Sequence, residues 1–199
     1  TICLVGSEMC IRDRYNQLGK DEIKKIKKWV EKGNTLITIA RGSSWAINNE
    51  LIDENLVESK KDSTYSRKNF VDASGFIGRE RIGGVILRAD IDLTHPVAFG
   101  YNDTSIPIYK NNNVFINKTK DDYSSVAVYS DDFHIDGYIS ESNRKDYIPG
   151  SASLIVSKLG SGRAVVFADN PNFRGTWYGT NKLFLNAIFL GDNISVPTN

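Results

Sequence analysis

Apolar residues at Leu18, Ile23, Ile26, Trp29 and Val30 recur at helical spacing with lysines between them. The pattern predicts an amphipathic helix, stopped at Gly33-Asn34, two residues that tolerate left-handed backbone. The β-branched run TLITIA at 35–40 then reads as a buried strand. RGSS is a tight turn, and Ser44 is placed to cap a short helix running through Ile52. Helix, strand, turn and helix in that order form the repeating unit of an α/β sheet.

The stretch 53–81 is polar and irregular, and is expected to be a long surface excursion with a short helix or strand near 69–76. Gly83-Gly84 opens the strand VILRADI, which Thr94-His95-Pro96 breaks. Short strands are expected at IPIY (106–109), NVFI (113–116) and SVAVYS (125–130). SASLIVSK and GRAVVFAD flank the turn Leu159-Gly160-Ser161-Gly162 and predict a hairpin. NPNFRGTW is a loop, and 178–190 reads as a helix whose apolar positions are Leu183, Phe184, Ala187, Ile188 and Leu190. The tail 195–199 is expected to fray. No repeat, low-complexity tract or Pro-rich linker interrupts the pattern, so one domain is expected.

Composition narrows the function classes. The 199 residues are 40% hydrophobic and 25% charged, the profile of a globular chain. Lys plus Arg (25) against Asp plus Glu (24) leaves a net charge of +1, without the basic excess of a nucleic-acid binder. The cluster Lys24, Lys25, Lys27 and Lys28 falls on the polar face of the first helix, as a solvated face does. No apolar run reaches the roughly 20 residues of a membrane span.

LVGSEMCIRDR at 4–14 resembles a translated sequencing-adapter remnant, and 1–14 is therefore set apart as a non-native segment. Both cysteines, Cys3 and Cys10, and the only methionine, Met9, lie inside it. The remaining 15–199 then offers no thiolate ligand, disulfide or cysteine nucleophile. It is expected to be a fragment whose gene continues upstream.

Candidate chemistry is sparse. His95 precedes a proline at a strand end, where a structural hydrogen bond is the simplest role, and His134 lies in the acidic run DDFHID at 131–136, read as a solvated turn. Neither has a partner at the spacing a zinc site needs. Asp90 and Asp92 alternate along a strand and share a face, where aspartates commonly satisfy loop amides. Two loops stand at the ends of predicted strands, where open α/β sheets place ligand crevices. One carries Arg41, Ser43, Ser44 and Trp45; the other carries Asp169, Arg174 and Trp177. In the second, either the loop binds a ligand, or Phe173 and Trp177 plug the core while Arg174 pairs with an acid.

Three blocks, IGGVILRADIDLTHPVAFGY (82–101), GSGRAVVFADNPNFRGTWYGTNKLFLNAIF (160–189) and KKWVEKGNTLITIA (27–40), resemble the domain that follows the catalytic domain in large bacterial zinc carboxypeptidases. These are carboxypeptidase A-like enzymes of the Bacteroidetes type. That trailing domain is similar to the class I glutamine amidotransferase fold, a flavodoxin-like three-layer α/β sandwich, here expected to be partial at its N-terminus. Active amidotransferases present a cysteine on a G-x-C-x-G elbow, with a histidine and a glutamate after a later strand. Laid on this chain, the elbow falls on Thr38-Ile39-Ala40-Arg41-Gly42 and the later motif on Asn170-Pro171-Asn172. Ala40, Asn170 and Asn172 would thus be vacated triad positions.

The resemblance implies a non-catalytic accessory domain of a secreted or periplasmic peptidase that removes C-terminal residues from peptides. Zinc is expected only in the upstream catalytic domain, bound by an H-x-x-E pair and a distant histidine, and no cofactor in 15–199. The upstream domain would be the partner, met through the loops at 41–45 and 169–177. Two alternatives stay open: a free-standing hydrolase using Ser43 or Ser44, and a glycan- or peptide-binding module using Trp45, Trp177 and Arg174.

Overall fold

The computed structural model describes residues 18–58, 69–72, 75, 78, 80–121 and 123–195, and the backbone alone for 2–5. Helix α1 (Lys20–Glu31) carries Asp21 and Glu22 in its first turn and Lys28 in its last, matching the helix dipole. Its apolar stripe is Ile23, Ile26, Trp29 and the fully buried Val30. Gly33, at φ 113°, ends it, while the Asn34 side chain donates to Trp29 O at 2.7 Å. Strand β2 (Thr35–Ile39) follows, buried at every position. It sits between β1 (Ile2–Val5) and β8 (Gly162–Phe167), parallel to both. Helix α2 (Arg41–Asn48) begins one residue after β2.

The remainder of the sheet is antiparallel. Strands β3 (Val85–Ile91), β4 (Ser105–Lys110), β5 (Ile116–Asn117), β6 (Ser125–Gly137) and β7 (Ser151–Leu159) complete eight strands among the described residues. Their order is β1-β2-β8-β7-β6-β3-β4, with β5 beside β7. The β7–β8 hairpin closes with Leu159 opposite Gly162. Its turn presses on the end of α1: Ser161 N donates to Glu31 O, and any side chain at Gly162 would collide with Val30 O.

Alternation across the sheet builds two cores. Leu36, Ala164 and Val166 face α1 and α2, and meet Val30, Ala46 and Ile47. Ile37, Ile39, Val165 and Phe167 face the other way and meet Leu183 and Ala187 of α3 (Tyr178–Leu190). The result is a three-layer α/β sandwich.

Several expectations change. α2 begins at Arg41 and stops at Asn48, so Ser44 lies inside it and its Oγ donates back to Arg41 O at 3.0 Å instead of capping. The acidic run at 131–136 is strand, because β6 continues to Gly137 along β3. The expected strand at 113–116 shrinks to Ile116–Asn117, because Asn112 and Asn113 spend their side chains on turn contacts. The excursion after Asp53 is tied to the sheet, with Leu56 bridged to Ile116 and Val57 N bonded to Phe115 O. A 3-10 turn, Phe70–Asp72, occupies part of 69–76, and the rest of that stretch lies partly outside the described residues. The segment set apart at 1–14 also lies outside them, except for the backbone ladder of Ile2–Val5.

Candidate functional site

Parallel β2 and β8 are neighbours with Ile39 opposite Phe167. The loops that leave their C-terminal ends therefore emerge side by side on one edge of the sheet, the usual crevice position in α/β folds. Ala40 N donates to Phe167 O at 2.8 Å and fastens the two together. The candidate residues of both loops are thus brought to one place, but they do not all face it.

At the end of β2 the chain reverses within one residue. Ala40 takes φ 51° and ψ −118°, a region a side-chain-bearing residue occupies only when the surroundings enforce it. Two things enforce it here: the bond to Phe167 O, and α2 starting at once, with Ser43 N and Ser44 N both bonded to Ala40 O. Ser43 is fully buried beneath the turn, its Oγ 2.7 Å from Phe167 O and 3.0 Å from Thr38 Oγ1. That hydroxyl is turned into the sheet, away from any ligand. Arg41 is exposed, whereas Trp45 packs against the core under α1 and α2 and does not line the crevice.

The loop after β8 has a different foundation. Asp169 is 3% exposed, so it shapes the crevice from behind and offers no surface to a partner. One carboxylate oxygen lies 2.9 Å from Lys110 Nζ. The other accepts from Tyr129 Oη and from Ser153 Oγ, the latter at 2.8 Å. Lys110 is completely buried; its ammonium also donates to Val114 O at 2.7 Å and stands 4.7 Å from the centre of the Phe115 ring. Burial pulls the Lys110 pKa below the ordinary lysine value, and the Asp169 charge opposes that pull. Burial, and then the charge of Asp169, push Tyr129 well above the ordinary tyrosine value.

Sequence reasoning missed Lys110, Tyr129 and Ser153. A signal did exist for the first. Ile106, Ile108 and Lys110 are successive inward positions of β4, and a lysine on an apolar face requires a buried acid.

Beyond Asp169 the chain turns. Asn170 Oδ1 accepts from Asn172 N at 3.0 Å, Thr180 Oγ1 donates to Pro171 O at 2.8 Å, and Asn172 Oδ1 is buried with no partner. Phe173 and Trp177 are half-buried against Tyr109 on β4, with ring centres 4.2 Å and 5.9 Å away, and Trp177 Nε1 donates to Pro107 O. They cover an edge strand where a core plug was one expectation. Arg174 is exposed, holds φ 51° and lies over the Phe173 ring at 5.3 Å; no carboxylate pairs with it among the described residues.

The remaining candidates lie elsewhere. His95 Nδ1 accepts from Val97 N at 3.2 Å, the structural role expected of it, and His134 Nε2 contacts Gly137 O at 2.8 Å. Asp92 falls beyond the end of β3 and accepts from Thr94, while Asp90 accepts from Ser130, so the two do not form a carboxylate pair. Among the described residues no group of three or more His, Cys, Asp or Glu side chains could hold a metal, and no helix is long and apolar enough to cross a membrane. Among the described residues the crevice supplies an alanine methyl, asparagine amides and two exposed arginines, a set that can bind but holds no nucleophile–base pair.

No protein-family model and no curated protein matches the sequence. Solved structures do. A protein from Thermoplasma acidophilum, described as a proposed GMP synthase component, superposes with a TM-score of 0.52 at 13% identity, over 96% of this chain and 72% of that one. PurLQS from Thermotoga maritima gives 0.50 at 14% identity, over 94% and 78%. The fold is class I glutamine amidotransferase-like, a mixed α/β sheet with helices on its faces.

Proposed function

We propose that this chain is a catalytically silent domain of amidotransferase-like fold, serving as the accessory domain of a secreted or periplasmic zinc carboxypeptidase. The observation that carries the silence is Ala40. It holds the strained strand-to-helix turn on which this type of fold displays a nucleophile, and its side chain is a methyl group. Asn170 and Asn172 follow the neighbouring strand, where a histidine and a glutamate would complete a triad. The assignment to a carboxypeptidase rests on the three blocks of sequence resemblance. In that assignment Arg41 and Arg174, exposed on the crevice edge, would meet the upstream peptidase domain, whose H-x-x-E pair and distant histidine would hold a zinc supplying Lewis-acid chemistry.

The two parts are tested separately. Purified chain is expected to turn over neither glutamine, nor activated esters, nor C-terminal peptide bonds. Ester hydrolysis present in the wild type and lost in Ser44→Ala would favour the serine-hydrolase alternative, because the Ser44 hydroxyl is exposed whereas Ser43 is buried and turned away from the crevice. For the parent, the upstream reading frame is expected to encode an H-x-x-E pair and a distant histidine. A frame without them removes the carboxypeptidase assignment and leaves the silent domain standing.

A further inference from the structure

Helix α3 packs inward through Thr180, Leu183 and Ala187, the positions it buries. A helix of this kind normally shows a polar outer face. Here Tyr178, Leu185 and Phe189 lie at i, i+7 and i+11, a single stripe opposite the buried side, and they are 76%, 43% and 75% exposed. Ile188 (36%) flanks the stripe on one side. Phe99 (71%) flanks it on the other, held beside α3 by the Asn186 side chain, which donates to Phe99 O at 2.8 Å. The only charged residue of the helix, Lys182, is bent aside: its ammonium donates to Gly100 O at 2.9 Å and lies over the Tyr101 ring. The stripe therefore carries apolar side chains and the aliphatic stem of one lysine, with no acid.

From this face we infer a homodimer in which α3 packs antiparallel on α3 of a second copy about a two-fold axis. The spacing is self-complementary: an axis passing near Phe184 sets Tyr178 of each copy against Phe189 of the other, with both Leu185 side chains within one turn of the axis. A two-fold interface requires the same patch on both copies, and a stripe whose two ends are aromatic and whose centre is aliphatic meets that requirement. The one charge on the helix, the Lys182 ammonium, is drawn to Gly100 O at the margin of the stripe, which limits the repulsion between two like faces. Three aromatic rings at about three-quarters exposure, with Leu185 and Ile188, give on the order of 500 Å² per copy, so two copies reach the ~1,000 Å² at which specific interfaces begin. Interfaces of that area lie at the small, transient end of the range.

Sedimentation equilibrium of the full chain across micromolar concentrations is expected to show a monomer–dimer equilibrium. Leu185→Glu and Phe189→Glu, both at exposed positions, are expected to weaken it at least tenfold with unchanged far-UV circular dichroism. In a Cys3→Ser/Cys10→Ser background, Leu185→Cys is expected to form a covalent dimer under mild oxidation. A chain that stays monomeric throughout, including one whose α3 face binds only a different protein, overturns the inference. So does a dimer indifferent to both glutamates and unable to cross-link at 185. None of these outcomes depends on whether the crevice is silent or on the identity of a parent enzyme.

Discussion

The loops at the ends of β2 and β8 are adjacent in space and joined by one backbone bond, yet they are held by opposite means. The first is fixed by backbone: a single residue in a strained conformation, secured by hydrogen bonds to neighbouring main chain and by a buried serine hydroxyl. The second is fixed by charge: a buried carboxylate held from three sides by an ammonium, a phenol and a hydroxyl. A strained turn costs the fold a little and fails gently, since a more permissive residue relaxes it. A buried ion pair balances large opposing terms, so removing one member leaves the other desolvated and alone. The two loops should therefore differ sharply in how they respond to substitution.

The largest effect is expected at Lys110. Lys110→Met strands the Asp169 carboxylate in the core and is expected to cost about 3–5 kcal/mol, read from urea unfolding. Lys110→Met/Asp169→Asn, which removes both charges and keeps an acceptor for Ser153 and Tyr129, is expected to recover a good part of that loss. The coupling energy of the double-mutant cycle measures the pair directly. A single-variant cost below ~1 kcal/mol would mean that the two loops are held alike, and the contrast would fall.

How far this contrast was legible in the sequence follows from its physics. β2, the first and last helices, β3 and the hairpin could be read because each rests on local periodicity, turn chemistry or a continuous apolar run. The two crevice loops could be located because they follow strand ends. Which way their side chains point could not be read, since Asp169, Ser43 and Trp45 turn inward to partners 124 residues away in the case of Ser43 and 59 in the case of Asp169. The long tail of β6 was hidden for the same reason: Asp131-Asp132-Phe133-His134-Ile135-Asp136 looks like a turn by composition, and only pairing with β3 makes it a strand. Lys110 was the one legible clue to the cluster, because β4 alternates and places it inward.

On the other side of the comparison the expected changes are smaller and of both signs. Ser43→Ala removes a buried hydroxyl that serves Phe167 O and Thr38 Oγ1, and is expected to cost about 1 kcal/mol. Ala40→Gly acts in the opposite direction. The positive φ of a residue with a side chain costs about 1–3 kcal/mol, and glycine returns roughly 0.5–1 of that through its freer unfolded chain. Net stabilisation near 1 kcal/mol is expected in the same urea experiment. Destabilisation by Ala40→Gly would mean that the turn carries no strain, and would remove the physical basis for reading it as a relic of a nucleophile site.

His95 gives the smallest and most selective test, because it lies between the two extremes: a half-buried ring held by one hydrogen bond, at the end of β3 and away from both loops. Its Nδ1 accepts from Val97 N, a role open only to the neutral ring. Burial lowers its pKa below the ordinary histidine value, and the nearby Asp92 charge works against that shift. Between the folded pKa and about 6.5 the unfolded ring therefore holds a proton that the folded ring refuses. Stability from this group is complete above the unfolded value and declines as the pH falls through 6.5 toward the folded one. His95→Asn keeps an acceptor for Val97 N and carries no titrating group, so its stability should lack this acidic decline when wild type and variant are unfolded in parallel between neutral and mildly acidic pH. Equal slopes in the two proteins would show that His95 does not titrate with folding. In that case a single partially buried hydrogen bond would set no pH dependence here.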